Sequence, residues 1–512
     1  MVKPGGIALL NLGFAIALST IQVGAAEPKP YLDIPAQNPA VEYLRRIETQ
    51  SALLMPARSF PQGEPEANRF LGASSATSSD SAFLAAAFPG FRKNLIEWSD
   101  TARGHSLFIS PAVELSGYGG SRGDSSRSGS LFGLGGTLYG ALSPRLSFYS
   151  HATIYTEFTD RAQFSHQFNP EFGETYSVEK GAGDSLLKDR TYNRFESYVI
   201  ADLPWITLKA GRDHVHTGPG YFSSLMMTRD APPYYLAEAR VDFASWLSLD
   251  NYLLRMTDTR HDIQKFANLH RFEFKPTRTL SVAFQDIVIY QDRDPDVRYL
   301  LPLVPLMFTE ADMGGPDNSA MGFDFHCAAV RNFAFWGELF IDDLLGPASF
   351  FDDFWENRWA ALTGFQVTSP FPNVDMDLVV EYSQVEPWTY NGRRPQTSFK
   401  HFNVPSASKL GPDSRSLDIQ LTYLASGWIE IRQKVELNGK GLGRPGTLGI
   451  IHDDSVDGLT KRLLAGPVHS ECVAATSFNL ILKRNSRIGI AYTKKFGDSK
   501  GDDFEGSFQY AY

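Results

Sequence analysis

The sequence predicts an all-β transmembrane fold, an antiparallel β-barrel of about eighteen strands preceded by a small α-helical unit, and three observations predict it. The 512 residues are 43% hydrophobic and 13% aromatic, yet beyond the N-terminus no apolar run approaches the roughly 20 residues of a spanning helix. Of the architectures that satisfy every backbone group in lipid, this leaves the closed barrel. Alternation supplies the strands: Leu417, Ile419, Leu421 and Tyr423 interleave with Asp418, Gln420 and Thr422, and Ile429, Ile431, Val435 and Leu437 with Glu430, Arg432, Lys434 and Glu436. A soluble sandwich would alternate in the same way, so the connections decide. They switch between tight turns and long polar loops, the asymmetry of a membrane barrel.

At the N-terminus Lys3 precedes a mostly apolar stretch from Ile7 to Leu18, and Gly24-Ala25-Ala26 stands just before Glu27. This is the pattern of a secretory signal, residues 1–26, with cleavage expected after Ala26. Losing Lys3 takes the formal charge from −10 to −11, and with no basic run the chain offers no broad nucleic-acid-binding surface. Residues 27–104 read as a helical unit on the periplasmic side or in the lumen. Val41, Leu44 and Ile47 recur at helical spacing, as do Phe83, Ala87, Phe91, Leu95 and Trp98, with Pro56, Pro61, Pro65 and the serine-rich stretch Ser74 to Ser81 between them.

Residues 105–512 read as the barrel. Tight turns fall at Ser143-Pro144, Leu203-Pro204, Ser245-Trp246, Lys275 to Thr279, Val330-Arg331, Pro370 to Asn373, Ala425 to Gly427 and Arg484 to Ser486. Loops occupy 118–130, 159–190, 214–237, 257–266, 291–319, 343–359, 386–414 and 438–473, with a shorter one at 497–502. Eight turns and nine loops make about eighteen strands and return both ends to the periplasm. In the last segment Phe504, Phe508, Tyr510 and Tyr512 share one face; with its terminal aromatic it resembles the closing strand of an outer-membrane barrel.

A barrel of this size encloses a lumen wide enough to conduct or to need filling. Its charged lining includes Arg212, Arg271, Glu273, Glu338 and Glu381, which read as a paired ionic network in a wet interior. Asp213-His214-Val215-His216 places two histidines on one face of a strand and Asp213 on the other, an incomplete ligand set. Asp292, Asp294 and Asp296 lack the glycine and distal glutamate of a calcium loop. No metal or cofactor is therefore expected. Cys327 and Cys472 are too few for a disulfide scaffold, and the sequence leaves open whether they meet. Ser223, Ser224 and His261 lie in loops, but no Gly-x-Ser-x-Gly elbow presents a nucleophile, so the reading is non-enzymatic.

Residues 211–240 run Gly-Arg-Asp-His-Val-His-Thr-Gly-Pro-Gly-Tyr-Phe and on through Ala-Pro-Pro-Tyr-Tyr. Further blocks are Leu269 to Glu273, Tyr299 to Pro305, Asp317-Asn318 with Gly322, Gly337-Glu338-Leu339 with Ile341-Asp342-Asp343, and Glu381-Tyr382 followed by Pro387-Trp388-Thr389-Tyr390. Together they resemble the Wzi-type capsule assembly family over most of residues 38–512, most closely from 205 to 390. The sequence departs from the family pattern at Asp213 to His216, where uncharged or aromatic residues are more usual. The resemblance implies a Gram-negative outer-membrane barrel with a periplasm-facing helical bundle, occluding outer loops, and a lectin-like role that holds capsular or exopolysaccharide at the cell surface. Outer-membrane lipid, surface polysaccharide and the periplasmic export machinery are the partners it implies.

Sugar recognition needs flat aromatic faces together with carboxylate, amide and guanidinium groups, and the loops hold that mixture. Tyr234, Tyr235, Arg298, Tyr299, Trp355, Arg358, Trp359, Trp388, Tyr390 and Arg393 are the polysaccharide-binding candidates. Aromatics near strand ends also serve as interfacial girdles, which favours the deeper loop residues Trp355 and Trp388. The expected function is capsule attachment; a sugar- or anion-conducting porin and an outer-membrane hydrolase are the alternatives.

Overall fold

In the computed structural model, the described residues are 31–33, 45–46, 49–50, 59–61, 96–100, 103–122, 125–159, 176–178, 188–257 and 264–511, apart from 302, 316, 347–349, 372–373, 403, 427–428 and 483–485. Eighteen antiparallel strands close into one barrel. The first six are β1 His105–Arg122, β2 Ser125–Ser143, β3 Leu146–Thr159, β4 Lys188–Asp202, β5 Thr207–Asp213 and β6 Tyr234–Ala244. Next come β7 Leu247–Met256, β8 Lys265–Thr277, β9 Leu280–Gln291, β10 Asn318–Val330, β11 Phe333–Asp343 and β12 Arg358–Thr368. The last are β13 Met376–Val385, β14 Ser414–Ser426, β15 Ile429–Gly441, β16 Val468–Leu482, β17 Ser486–Gly497 and β18 Gly501–Ala511. β18 pairs with β17 on one side and with β1 on the other, Phe508 opposite Leu115, which closes the wall. Tyr512 lies outside the described residues.

The alternation is inverted relative to a soluble sheet. On β14, Asp418 and Gln420 are 3% and 4% exposed, whereas Leu421 and Tyr423 are 38% and 39% exposed. Polar groups therefore line the inside and apolar groups the outside, which fits a barrel in lipid and not a sandwich. Among the described residues the tight turns at 143–144, 203–204, 245–246, 275–279 and 330–331 fall at one rim, where the strands flanking the other three expected turns also end, and the longer connections leave from the other. One expected loop is not there. Residues 118–130 continue β1 and β2 as far as Arg122 and Ser125; their glycines and serines look like a loop, but their pairing with each other continues the ladder.

Ahead of the barrel, residues 45–46 and 49–50 are helical, whereas Tyr31–Asp33 pairs with Ser59–Pro61 as a two-stranded ribbon. Ile96–Asp100, expected as the end of a helix carrying Trp98, is instead a strand laid against β1. Val41, Leu44, Ile47, Phe83, Ala87, Phe91, Leu95 and the signal segment 1–26 lie outside the described residues. The helical piece docks at the tight-turn rim. Arg46 pairs with Asp375 and, at 3.1 Å, with Asp377; the Thr49 carbonyl accepts from the Asn332 amide at 2.8 Å.

Candidate functional site

The connection 214–233 leaves the outer rim and descends into the lumen. Thr217 bridges Met227, so the loop doubles back on itself around Gly218-Pro219-Gly220. Two wall carboxylates receive it. Glu338 on β11 accepts from the Gly220 amide at 2.7 Å and the Leu225 amide at 2.8 Å. Glu381 on β13 accepts from three successive amides, Tyr221 at 2.6 Å, Phe222 at 3.0 Å and Ser223 at 3.2 Å, and from the Trp336 indole at 2.9 Å. Gly218 has φ +97°, and a Cβ there would stand 2.5 Å from the Glu338 carboxylate, so both its conformation and this close approach require glycine. From below, Arg45 donates to the Gly220 carbonyl at 3.0 Å and lies over the Tyr221 and Trp336 rings. Val215, Tyr221, Leu225, Met226 and Met227 pack with wall residues Leu254, Leu269, Ile287 and Phe340 into one apolar cluster inside the barrel.

Above this plug, three loops build a cleft on the outer rim. Trp355, Arg444, Ile451, His452, Asp453 and Asp454 line it. The Trp355 indole stacks on the His452 imidazole, with ring centroids 3.7 Å apart and planes within 2°, and Trp388 meets the same imidazole edge-on at 4.9 Å. Arg444 and Asp457 form a bidentate pair at 2.8 and 3.1 Å, which holds the Asp457 carboxyl below the usual range. The Ser455 hydroxyl and amide do the same for Asp453. The cleft thus offers an immobilised aromatic ring, a guanidinium and carboxylates within one open surface.

The loops are joined by buried clips. The Asn391 amide donates to the Thr447 carbonyl at 3.0 Å and accepts from the Gly449 amide at 2.7 Å. Lys461 pairs with Glu386 at 3.0 Å and donates to the Asn357 carbonyl. Trp388 is 2% exposed, and its amide donates to the Pro445 carbonyl at 2.8 Å.

Of the ten rim residues expected from sequence, Trp355 lines this cleft and Trp388 is buried against the His452 ring behind it. Arg358 and Tyr390 meet beneath it: Arg358 reaches Asp342 and Asp343 at 3.5 and 3.2 Å and also the Asn391 carbonyl, and the Tyr390 amide donates to Asp342 at 2.8 Å. Tyr234 is fully buried and stacked on His401 at 4.3 Å. Tyr235 is half exposed with Arg212 over its ring, and Trp359 stacks on Phe350. Arg298 and Tyr299 belong to another loop, where Arg298 pairs with Asp296 at 2.7 Å and the Tyr299 hydroxyl donates to Asp317 at 2.7 Å; Arg393 is exposed and donates to the Gly315 carbonyl at 3.3 Å.

Of the lumen residues, Arg271 pairs with Asp324 and Glu273 with Lys275 at 3.1 Å. Arg212, expected in the lumen, instead shares the outward face of its strand with Tyr235, because the register pairs the neighbouring Gly211 with the inward Leu236, and it donates to the Phe195 carbonyl at 2.6 Å; Glu338 and Glu381 hold the plug. His214 and His216 form the plug's entrance; a ring nitrogen of each lies near a loop carbonyl, Ala231 at 2.8 Å and Gly220 at 3.2 Å respectively. The Ser224 hydroxyl donates to the Thr217 carbonyl, and His261 lies outside the described residues. Cys327 and Cys472 are both free. Arg444, His452, Asp453 and Asp454 were not singled out from the sequence. The short polar run from His452 to Asp457 is their only local mark, and nothing in it predicts contact with Trp355 almost a hundred residues earlier.

His401 ties three loops together. Its Nδ1 accepts from the Thr257 amide at 2.9 Å, and its Nε2 faces the Pro233 carbonyl at 3.4 Å, an arrangement that needs the neutral ring. Burial, reinforced by the charges of Lys265 and Arg212, pushes this imidazole down to about 3. Its folded value lies below its ordinary one, so the stabilisation is complete above roughly pH 6.5 and is lost as pH falls from there towards 3. Amide exchange of Thr257 is expected to quicken by up to about tenfold per pH unit below 6.5, after correction for intrinsic rates. His401→Gln, which cannot titrate, should flatten that dependence; an equal slope in both proteins would contradict it.

Comparison with known proteins places this architecture. The family model described as capsule assembly protein Wzi matches residues 133–438. No curated protein sequence matches the chain. Among solved structures, the chain is similar to Wzi of Escherichia coli, described as an outer-membrane protein involved in group 1 capsule assembly and a carbohydrate-binding β-barrel. The TM-score is 0.59 at 12% identity, over 94% of this chain and 99% of that one, a likeness of fold. Two Pseudomonas aeruginosa proteins, OccD3 (OpdP) and OccK2 (OpdF) with glucuronate, align over 79% of this chain and 91% and 96% of their own, at 10% and 9% identity with TM-scores of 0.42 and 0.45. With more than half of its length matched by the family model, the chain belongs to the Wzi capsule assembly family.

Proposed function

We propose that this outer-membrane barrel binds and organises capsular or exopolysaccharide at the cell surface, and that the outer-rim cleft around Trp355 is where the glycan rests. The observation that carries the reading is the Trp355–His452 stack beside Arg444, Asp453 and Asp454. A ring already fixed in plane loses little freedom when a sugar packs on it, and the flanking charges match hydroxyl and carboxyl substituents. The plug held by Glu338 and Glu381 supports a binding role over the conducting one. Residues 1–26 then serve as the export signal, and 27–104 as a periplasmic unit whose Arg45 and Arg46 reach the barrel from the tight-turn side, where export machinery would meet it.

The test is titration of the purified protein with polysaccharide extracted from its own cells. Trp355→Ala is expected to weaken binding by about 1–2 kcal/mol, roughly 5- to 30-fold, without changing the plug. Unchanged affinity would remove the cleft from the proposal. A coat that stayed attached after deletion of the gene would remove the function.

A further inference from the structure

The connection after β9 takes an unexpected course. Instead of crossing the mouth of the barrel, it folds back over the outside of the wall. Ile287 and Ile289 on β9 belong to the lumen cluster, so Asp286, Val288 and Tyr290 between and beside them point outward. Outward residues on this wall should meet lipid, yet Val288 and Tyr290 are fully buried, packed with Tyr299 of the short helical turn Val297–Leu300 and Leu306 of the helix α1 Leu306–Asp312. The flap is also pinned by hydrogen bonds to outward polar groups. Asp286 accepts from the Leu306 amide at 2.7 Å, the His270 Nε2 lies 3.2 Å from the Tyr299 carbonyl, and the Asn251 amide donates to the Leu300 carbonyl at 3.2 Å.

The depth of these contacts is set by the wall. Trp246 and Phe274, 50% and 44% exposed and in edge contact at 5.5 Å, mark the aromatic girdle at the tight-turn rim. A membrane-spanning strand uses about 9–11 residues to cross the apolar band. His270 precedes Phe274 by four positions along β8, and Asp286 is its partner on β9, so both fall inside that band. A bare wall would present His270, Asp286 and Asn268 to hydrocarbon at considerable cost. The flap's backbone gives each of the first two one hydrogen-bond partner, and the Tyr290 hydroxyl donates to Asn268 at 2.8 Å beneath it.

What covers the wall at that depth must itself be in the membrane. The far side of the flap is open and, apart from Arg298 in its pair with Asp296, apolar: Val297 is 73%, Leu301 54%, Leu303 60%, Met307 39% and Phe308 63% exposed. This surface continues the lipid-facing wall, where Val282, Phe323 and Phe335 are similarly open. We infer that residues 297–301 and 303–308 belong to a flap embedded in the apolar band of the membrane, with lipid acyl chains as the partner of its apolar face. The inference depends on the barrel spanning a membrane and is independent of glycan binding.

The test uses the full chain with Cys327 and Cys472 replaced by Ala, reconstituted in phosphatidylethanolamine–phosphatidylglycerol vesicles. Nitroxides are attached separately at Leu303→Cys and Phe308→Cys, on different turns of the flap, with Phe323→Cys as the wall reference and Asp454→Cys as the aqueous one. Collision with oxygen several-fold above collision with a nickel chelate at both flap positions, as at 323, is the expected result. Nickel access matching that at 454 would overturn it. So would exclusion of both reagents with dipolar broadening between labels, since a second copy would then cover the face. Heat-modifiable gel mobility reports that each labelled barrel has closed.

Discussion

Glu381→Ala is expected to release the lumen plug while the wall stays closed. The carboxylate accepts three consecutive amides, from Tyr221, Phe222 and Ser223, together with the Trp336 indole. Alanine leaves these donors without an acceptor in a site whose surroundings are an apolar cluster. A buried unsatisfied donor costs about 1–3 kcal/mol, and partial entry of water recovers some of that, so a net loss of about 3 kcal/mol is expected. The open form of the loop then gains roughly a hundredfold in population. Amide exchange across residues 217–227 should accelerate by that factor, while exchange of the wall amides, which depends on the ladder and not on the loop, stays near its original rate. Glu381→Gln keeps one acceptor oxygen and should lose less. Unaltered exchange in Glu381→Ala would mean that the apolar contacts alone hold the plug.

Much of this architecture could be read from the sequence, and the reason is local. Strand alternation and turn chemistry are short-range signals, so the strands end where the tight turns were expected and the strand number follows. The misread segment, 118–130, shows the limit of the same reasoning, because Gly117, Gly119 and Gly120 have no side-chain pattern to alternate and only the partner strands make them β. The site was legible in part. Trp355 and Trp388 could be chosen by their distance from strand ends, but their meeting on His452 depends on three loops folding together. Glu338 and Glu381 could be placed in the lumen by alternation, yet their task could not. An ionic network was expected, and both instead receive backbone amides, because the incoming loop brings unpaired N–H groups that no sequence pattern advertises. The blocks that carried the family resemblance, 211–240, 337–343 and 381–390, are far apart in the chain and converge on this plug and the loop above it.

Arg358→Ala is expected to abolish glycan binding from a position that does not line the cleft. Arg358 seemed a sugar contact from its place among loop aromatics; in the structure it is 9% exposed and spends its guanidinium on Asp342, Asp343 and the Asn391 carbonyl. Asp342, whose side chain is fully buried, also accepts the Tyr390 amide, and Tyr390 sits at φ +72° with its hydroxyl on the Leu225 carbonyl at 3.0 Å. Removing the arginine leaves that carboxylate without its cation, which for a buried pair costs about 3–5 kcal/mol. The loss falls on the segment that carries Trp388 and the Asn391 clip, so the wall of the cleft moves before the barrel does. A direct sugar contact and a structural strut predict different double mutants. If Arg358 touches the glycan, Arg358→Ala/Asp342→Asn binds as poorly as Arg358→Ala. If it serves to neutralise Asp342, the second substitution removes the stranded charge, and both thermal stability and affinity should recover by a measurable fraction, giving a coupling energy of at least about 1 kcal/mol in the cycle.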